Sequence, residues 1–200
     1  MSPVRAAVFD LGGVLLAYDY RIWAERVAPH CQGGAEPLAL IGEYGHARDA
    51  ERGYLDLDHF HAWLVAQAGL SLSLAEFTHA WSDIFERKPE MMRLVSELQV
   101  ERKLALSNTN PAHVRWITDR YPDVLALFDR VYLSCELHLL KPEPAIYHAV
   151  AADSRLAPGE HLFVDDRLEN VLGAQEAGWQ AVHFTGYAAL RQALGPLLGR

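Results

Sequence analysis

Four polar clusters in this 200-residue chain have the residue types for metal-assisted chemistry on a phosphate: Asp10 with Gly12-Gly13, Ser107-Asn108, Lys141-Pro142 and Asp165-Asp166. Three carboxylates gathered in a small space repel and raise one another's pKa values. A hard divalent cation removes that penalty, and Mg²⁺ takes oxygen ligands while keeping room for waters and a substrate phosphate. A carboxylate held against such an ion and beside a lysine stays ionised and can attack as a nucleophile. Lys141 and Ser107 would then help to neutralise a phosphoryl group in transfer.

Such convergence requires elements that bring distant positions together. Residues 4–9, 104–106 and 162–164 are short apolar runs, each ending at one of these clusters, and 131–133 and 181–184 are two further strand candidates. Asn110 can cap a helix with Pro111 in its first turn. The helix after Asp165-Asp166 is expected to bury Leu168, Val171, Leu172 and Ala174 on one side and to stop near Gly178. Strands separated by helices predict an α/β protein with a parallel sheet covered on both faces, and ligands collect at the carboxyl ends of such strands. All the polar clusters fall at strand ends or in loops.

Residues 17–88 read differently, as an all-helical insert with no clear strand. Helices are expected at 21–28, 37–44, 59–68 and 74–85, the last opened by Ser73-Leu74-Ala75-Glu76 in capping-box form. Inserted after the first strand, these helices would form a lid over the strand ends, with the chain returning at Lys88-Pro89. Trp81 and Tyr44 either pack in this insert or line a substrate pocket. Glu51-Arg52-Gly53 reads as a turn whose glycine positions a loop over the site and whose arginine reaches an anion.

Eighteen Lys and Arg against 26 Asp and Glu give a net charge of −8, which argues against nucleic acid or an anionic membrane as partner. Cys31 and Cys135 stand alone, so no thiol metal site or disulfide framework is expected, and a reducing compartment suits them. With no signal-peptide form and no apolar stretch of about 18 residues, a soluble, cytoplasmic protein is expected. The ten histidines lack metal-ligand spacing; His59 and His61 point to different helix faces.

V-F-D-L-G-G-V-L (8–15), L-S-N-T (106–109), L-K-P (140–142) and F-V-D-D-R-L-E-N (163–170) resemble, in order and spacing, the four motifs of the haloacid dehalogenase superfamily. The resemblance covers the whole chain, and the insert is similar to the helical cap of subfamily I. D-L-G-x-V, S-N-T-N, E-R-G (51–53) and R-K-P-E (87–90) are most similar to the alpha-D-glucose-1-phosphate phosphatase group and the phosphatase domain of epoxide hydrolases. The resemblance implies a Rossmann-like core at 1–16 and 89–200 with a cap at 17–88. It implies a Mg²⁺-dependent phosphatase acting on a small phosphorylated metabolite, a sugar 1-phosphate favoured, as a monomer or homodimer.

By the same resemblance Asp10 is nucleophile and metal ligand. Asp166 binds the metal directly, Asp165 directly or through water, and Gly12 through its carbonyl. Ser107, Asn108, Gly12, Gly13 and Lys141 hold the substrate, Ser107 and Lys141 also serving catalysis, and Asn170 supports the acidic loop. One position departs from the family pattern: the second aspartate, two residues after the nucleophile, is Gly12. That aspartate protonates the leaving group and activates water, help worth about 10²–10⁴ in rate. A substrate with a good leaving group is the favoured account, with Asp19 or His46 as substitutes. The other readings are a dehalogenase-type hydrolase and a phospho-ligand-binding protein that has lost catalysis.

Overall fold

The computed structural model describes residues 3–45 and 47–197. Its strands are β1 (Ala6–Phe9), β2 (Leu16–Tyr18), β3 (Phe85–Arg87), β4 (Arg102–Ser107), β5 (Arg130–Leu133), β6 (His161–Asp165) and β7 (Gln180–His183). Five of them form one parallel sheet in the order β5-β4-β1-β6-β7, at the five places where apolar runs predict strands. The side-chain alternation of β1 feeds two layers: Ala7 and Phe9 pack with Leu94 and Ile117, while Ala6 and Val8 pack with Tyr147, Phe163 and Trp179. Both faces are thus covered, as parallel sheets require.

The chain runs outward from β1 through β4 to β5, then returns to place β6 on the other side of β1. Such a reversal opens a crevice at the carboxyl ends of the central strands. Register fixes what faces it: Phe9 pairs with both Ala105 and Val164, so Asp10 lies level with Leu106 and Asp165. Neighbouring strands are about 4.8 Å apart. Side chains from three strand ends therefore meet without any long reach.

The insert packs around Trp23, Phe60, Leu64, Phe77 and Trp81. Its helices are Tyr20–Val27, Pro37–Glu43, Ala47–Glu51, Leu57–Ala68 and Leu74–Ser82. The last begins with the expected capping box, Ser73 Oγ accepting from Glu76 N while the Glu76 carboxylate accepts from Ser73 N. Two expectations are corrected here. The segment is not strand-free, because β2 and β3 pair antiparallel with Tyr18 opposite Phe85. The helix expected through 85 ends at Ser82, since Phe85 is drawn into that pairing. Among the described residues no helix is long and apolar enough to cross a membrane.

A third correction concerns the helix Leu168–Glu176. Val171 and Ala174 are buried, but Leu168 and Leu172 are about half exposed. The inward face is Asn170, Val171, Gly173 and Ala174. A side chain at Gly173 would run into the Pro142 carbonyl, so the close approach there demands a glycine where a larger apolar residue would not fit.

Candidate active site

The charged centre is built from β1, β6 and the loop before the helix Pro144–Ser154. Lys141 Nζ, almost fully buried, donates to Asp10 Oδ1 at 3.0 Å, Asp165 Oδ2 at 2.7 Å and the Leu106 carbonyl at 2.9 Å. All three ammonium protons are therefore used. Burial alone would pull this lysine's pKa down; the carboxylates of Asp10 and Asp165 outweigh it and hold the pKa above the ordinary value. The Lys141 backbone is fixed as well, its N–H donating to Asn108 Oδ1 and its carbonyl accepting from Asn108 Nδ2, each at 3.0 Å. Asn108 thus reaches the site through its side chain as a clamp on the lysine.

Asp165 is fully buried and saturated. Its Oδ2 accepts from Lys141 Nζ and Asn170 Nδ2, and its Oδ1 from Arg167 N and Asn170 Nδ2. Asp166 is half-buried and aims its carboxylate at Gly13, where a Cβ would run into it. Gly13 also has φ of 73°, a left-handed conformation that favours glycine. Its carbonyl accepts from Lys88 Nζ, which ties the return point of the insert to this turn. Ser107 is buried at the end of β4, and its hydroxyl lines the cavity with no partner among the described residues.

Asp10, Asp165 and Asp166 can each bring an oxygen within 4.8 Å of the others. Burial pushes the Asp10 carboxyl up to about 7 against the pull of Lys141, with Asp165 and Asp166 adding repulsion. Burial and then Asp165 also raise Asp166. Three carboxylates with one ammonium leave two negative charges uncompensated within the cluster. An all-oxygen donor set with that surplus, and a glycine turn that makes room for it, fits Mg²⁺.

Above this centre lies a cavity of about 180 Å³, lined by Asp10, Gly12, Ser107, Asn108, Lys141 and Asp166 from the sheet end. Tyr18, Tyr20, Glu51, Phe85, His113 and Arg167 are among its other lining residues. A Cβ at Gly12 would sit 3.3 Å from the Tyr18 ring, so Tyr18 fills the space beside the glycine. A second cavity of about 200 Å³ lies in the insert, lined by Tyr44, Phe60 and Trp81 among others. Tyr44 and Trp81 thus both pack in the insert and face a pocket.

Of the two expected substitutes for the missing acid, Asp19 does not reach the site. Asp19 caps the helix Tyr20–Val27 and is paired with Arg21, and it does not line the cavity. His46 lies outside the described residues. Arg52 is bound to the His138 carbonyl and Glu143 and is not free for an anion. Sequence reasoning missed Tyr18, Tyr20, Glu51, His113 and Arg167. Only Glu51 carried a signal, its neighbour Gly53, which approaches the core so closely that a Cβ would run into the Cys135 carbonyl.

The model of the haloacid dehalogenase-like hydrolases matches residues 4–178. The chain is 28% identical to D-ribitol-5-phosphate phosphatase of Bacteroides thetaiotaomicron over 98% of each chain. It is likewise 28% identical to a sesquiterpene phosphatase of Aspergillus oryzae, over 99% of this chain and 98% of that one. A haloacid dehalogenase-family enzyme of Bacteroides thetaiotaomicron, solved with magnesium and inorganic phosphate, superposes with a TM-score of 0.78 at 28% identity, covering 90% of this chain and 93% of that one. L-2-haloacid dehalogenase of Xanthobacter autotrophicus shares the fold, with a TM-score of 0.64 at 20% identity over 98% of this chain and 84% of that one.

Proposed function

The chain belongs to the haloacid dehalogenase-like hydrolases, and from that premise we propose that it hydrolyses small phosphate monoesters with Asp10 as nucleophile. One observation carries the reading: a carboxylate at the end of β1 shares a cavity with a buried, fully committed lysine and a serine hydroxyl that has no partner among the described residues. The phosphatase names of two full-length relatives and the magnesium and phosphate of a related structure support it. The division of labour is a core at 1–16 and 89–200 and a cap at 17–88.

Asp10, Asp166 and the Gly12 carbonyl would hold Mg²⁺, with Asp165 behind them positioning Lys141. When bound, the ion supplies positive charge to the phosphoryl oxygens and keeps the carboxylates ionised. Ser107 donates its hydroxyl to a phosphoryl oxygen, assisted by the backbone of Asn108 and Gly12; the expected help from Gly13 is corrected, because its N–H donates to the Leu16 carbonyl and it does not line the cavity. Lys141 stabilises the negative charge that passes from Asp10 to the phosphoryl group as the bond forms, and forms no covalent bond itself. The cap excludes bulk water while the aspartyl-phosphate forms. The aromatic faces of Tyr20, Tyr44, Phe60 and Trp81 suit the carbon skeleton of a sugar or another phosphorylated alcohol. A sugar 1-phosphate is within this class.

The test is turnover of p-nitrophenyl phosphate with and without Mg²⁺. Mg²⁺-dependent release is expected, lost by about 10⁴-fold or more in Asp10→Asn. If Asp10→Asn matches the parent, or if the protein instead releases halide from a haloacid without metal, the reading fails.

A further inference from the structure

We propose that Glu51 is the general acid and base of this hydrolysis, protonating the departing oxygen and then deprotonating the attacking water. The proposal rests on the phosphatase reading and adds to it the group that the Gly12 position lacks.

Placement carries the argument. The cavity over Asp10 and the aromatic cavity of the insert share two lining residues, Tyr20 and Glu51. A monoester whose phosphoryl group lies by Asp10, Ser107 and Lys141, and whose organic part lies against Phe60 and Trp81, spans that junction. Its bridging oxygen, the atom that must be protonated, is then level with Glu51. The residue is anchored there from the core: Ser134 Oγ donates to the Glu51 carbonyl at 2.7 Å, and Gly53 packs on the Cys135 backbone. Its half-buried carboxylate accepts no hydrogen bond from the described residues, so its proton is free to move to a ligand.

The surroundings suit both roles. Burial raises the Glu51 pKa above the ordinary carboxylate range, against Arg167, Arg48 and Lys141, which lower it. The phenols of Tyr18 and Tyr20 also face this carboxylate. Both phenols are raised from their already high values, burial first in each case, which disfavours them as bases near neutrality. His113 has both ring nitrogens engaged, by Asn110 and the Trp81 carbonyl, and burial lowers its pKa to about 4. Arg167 is paired with Glu169. Among the cavity's titratable groups, Glu51 is the carboxyl free of the charged centre.

In the first step an Asp10 oxygen bonds to phosphorus as the bond to the bridging oxygen breaks. The electron pair stays on that oxygen, which takes the Glu51 proton and leaves as the alcohol. In the second, the Glu51 carboxylate takes a proton from water as the water oxygen bonds to phosphorus. The bond from phosphorus to Asp10 breaks, its electron pair returning to Asp10, and phosphate departs. Substrates are then not confined to good leaving groups.

The experiment compares kcat/KM for p-nitrophenyl phosphate, whose leaving group is acidic, with benzyl phosphate, whose alcohol is not. Glu51→Gln is expected to lose about 10²–10³-fold on benzyl phosphate but less than about tenfold on p-nitrophenyl phosphate. Glu51→Asp keeps a carboxyl and falls between parent and Gln variant with the same leaving-group trend, which serves if the Gln variant does not fold. Equal losses on both substrates in both variants, or a leaving-group-selective loss in Tyr18→Phe instead, would overturn the proposal alone. A parent inactive on both substrates with Mg²⁺ would overturn the phosphatase reading and this proposal together.

Discussion

At the sheet end of the cavity, Lys141 spends every ammonium proton on Asp10, Asp165 and the Leu106 carbonyl. In the insert, Trp81 meets the rings of Tyr20, Trp23, Phe60 and Phe77, and its indole N–H has no acceptor among the described residues. The first arrangement is directional: charge-assisted hydrogen bonds fix atoms to within tenths of an ångström, as charge stabilisation in a reaction demands. The second is shape packing, which tolerates rearrangement if volume is kept. The charged centre with Asp10 and Lys141 thus belongs to the core, and the aromatic walls belong to the insert.

Lys141→Met attacks the directional side and carries the largest expected effect. It strands the Asp10 and Asp165 carboxylates, costing about 3–5 kcal/mol in denaturant unfolding and about 10²–10³-fold in kcat. Phe60→Ala attacks the packed side, where Phe60 touches Trp23, Tyr44, Trp63, Phe77 and Trp81. A similar loss of about 3–5 kcal/mol is expected. Its kinetic signature differs, with KM for benzyl phosphate rising while kcat for p-nitrophenyl phosphate stays within about tenfold. If Phe60→Ala lowers kcat as much as Lys141→Met does, the division between the two regions is broken.

The boundary gives the smallest and most specific effect. His113, on the core helix Pro111–Arg120, donates from Nε2 to the Trp81 carbonyl and stacks on the Trp81 ring. Burial lowers its pKa to about 4, below the ordinary histidine value near 6.5. Above about pH 6.5 both folded and unfolded states hold it neutral and stability is full. As pH falls from there toward 4, the unfolded state takes up the proton first, so stability is lost across that window, on the order of 3 kcal/mol. Unfolding free energies at pH 7.5 and 5 check this: His113→Gln should lose less than the parent. Equal losses would remove His113 as the acid-sensitive contact between core and insert.

The sheet was legible because its strands are short apolar runs that stop at polar clusters, which is what a strand buried on both faces and open at one end must look like. Asp10, Ser107, Asp165 and Asp166 followed from that pattern, and Lys141 from its place before a helix. The β2–β3 pair was not legible. Each strand has three residues, too few for periodicity to register, and Tyr18 finds its partner Phe85 far along the chain. Leu168 and Leu172 misled for another reason: apolar spacing marks a buried face only where the neighbour leaves room for large side chains, and Pro142 does not. Glu51 was hidden beside Arg52, the more obvious anion ligand, because only the folded chain shows Arg52 spent on Glu143.

The β2–β3 pair also makes the insert a detachable module. Entry and exit sit side by side, Tyr18 against Phe85, so the whole excursion closes on itself before the chain rejoins the sheet. The sheet's own order does not depend on what is threaded through that doorway, and lengthening or exchanging the excursion costs little loop entropy. A chain in which Asn-Gly joins Tyr18 directly to Phe85 would turn the doorway into a simple hairpin. It would keep the Asp10, Lys141 and Asp165 constellation while uncovering Ala112 and His113. A new excursion grafted here leaves Asp10, Lys141 and Asp165 untouched, but it must bring its own carboxyl to the place of Glu51.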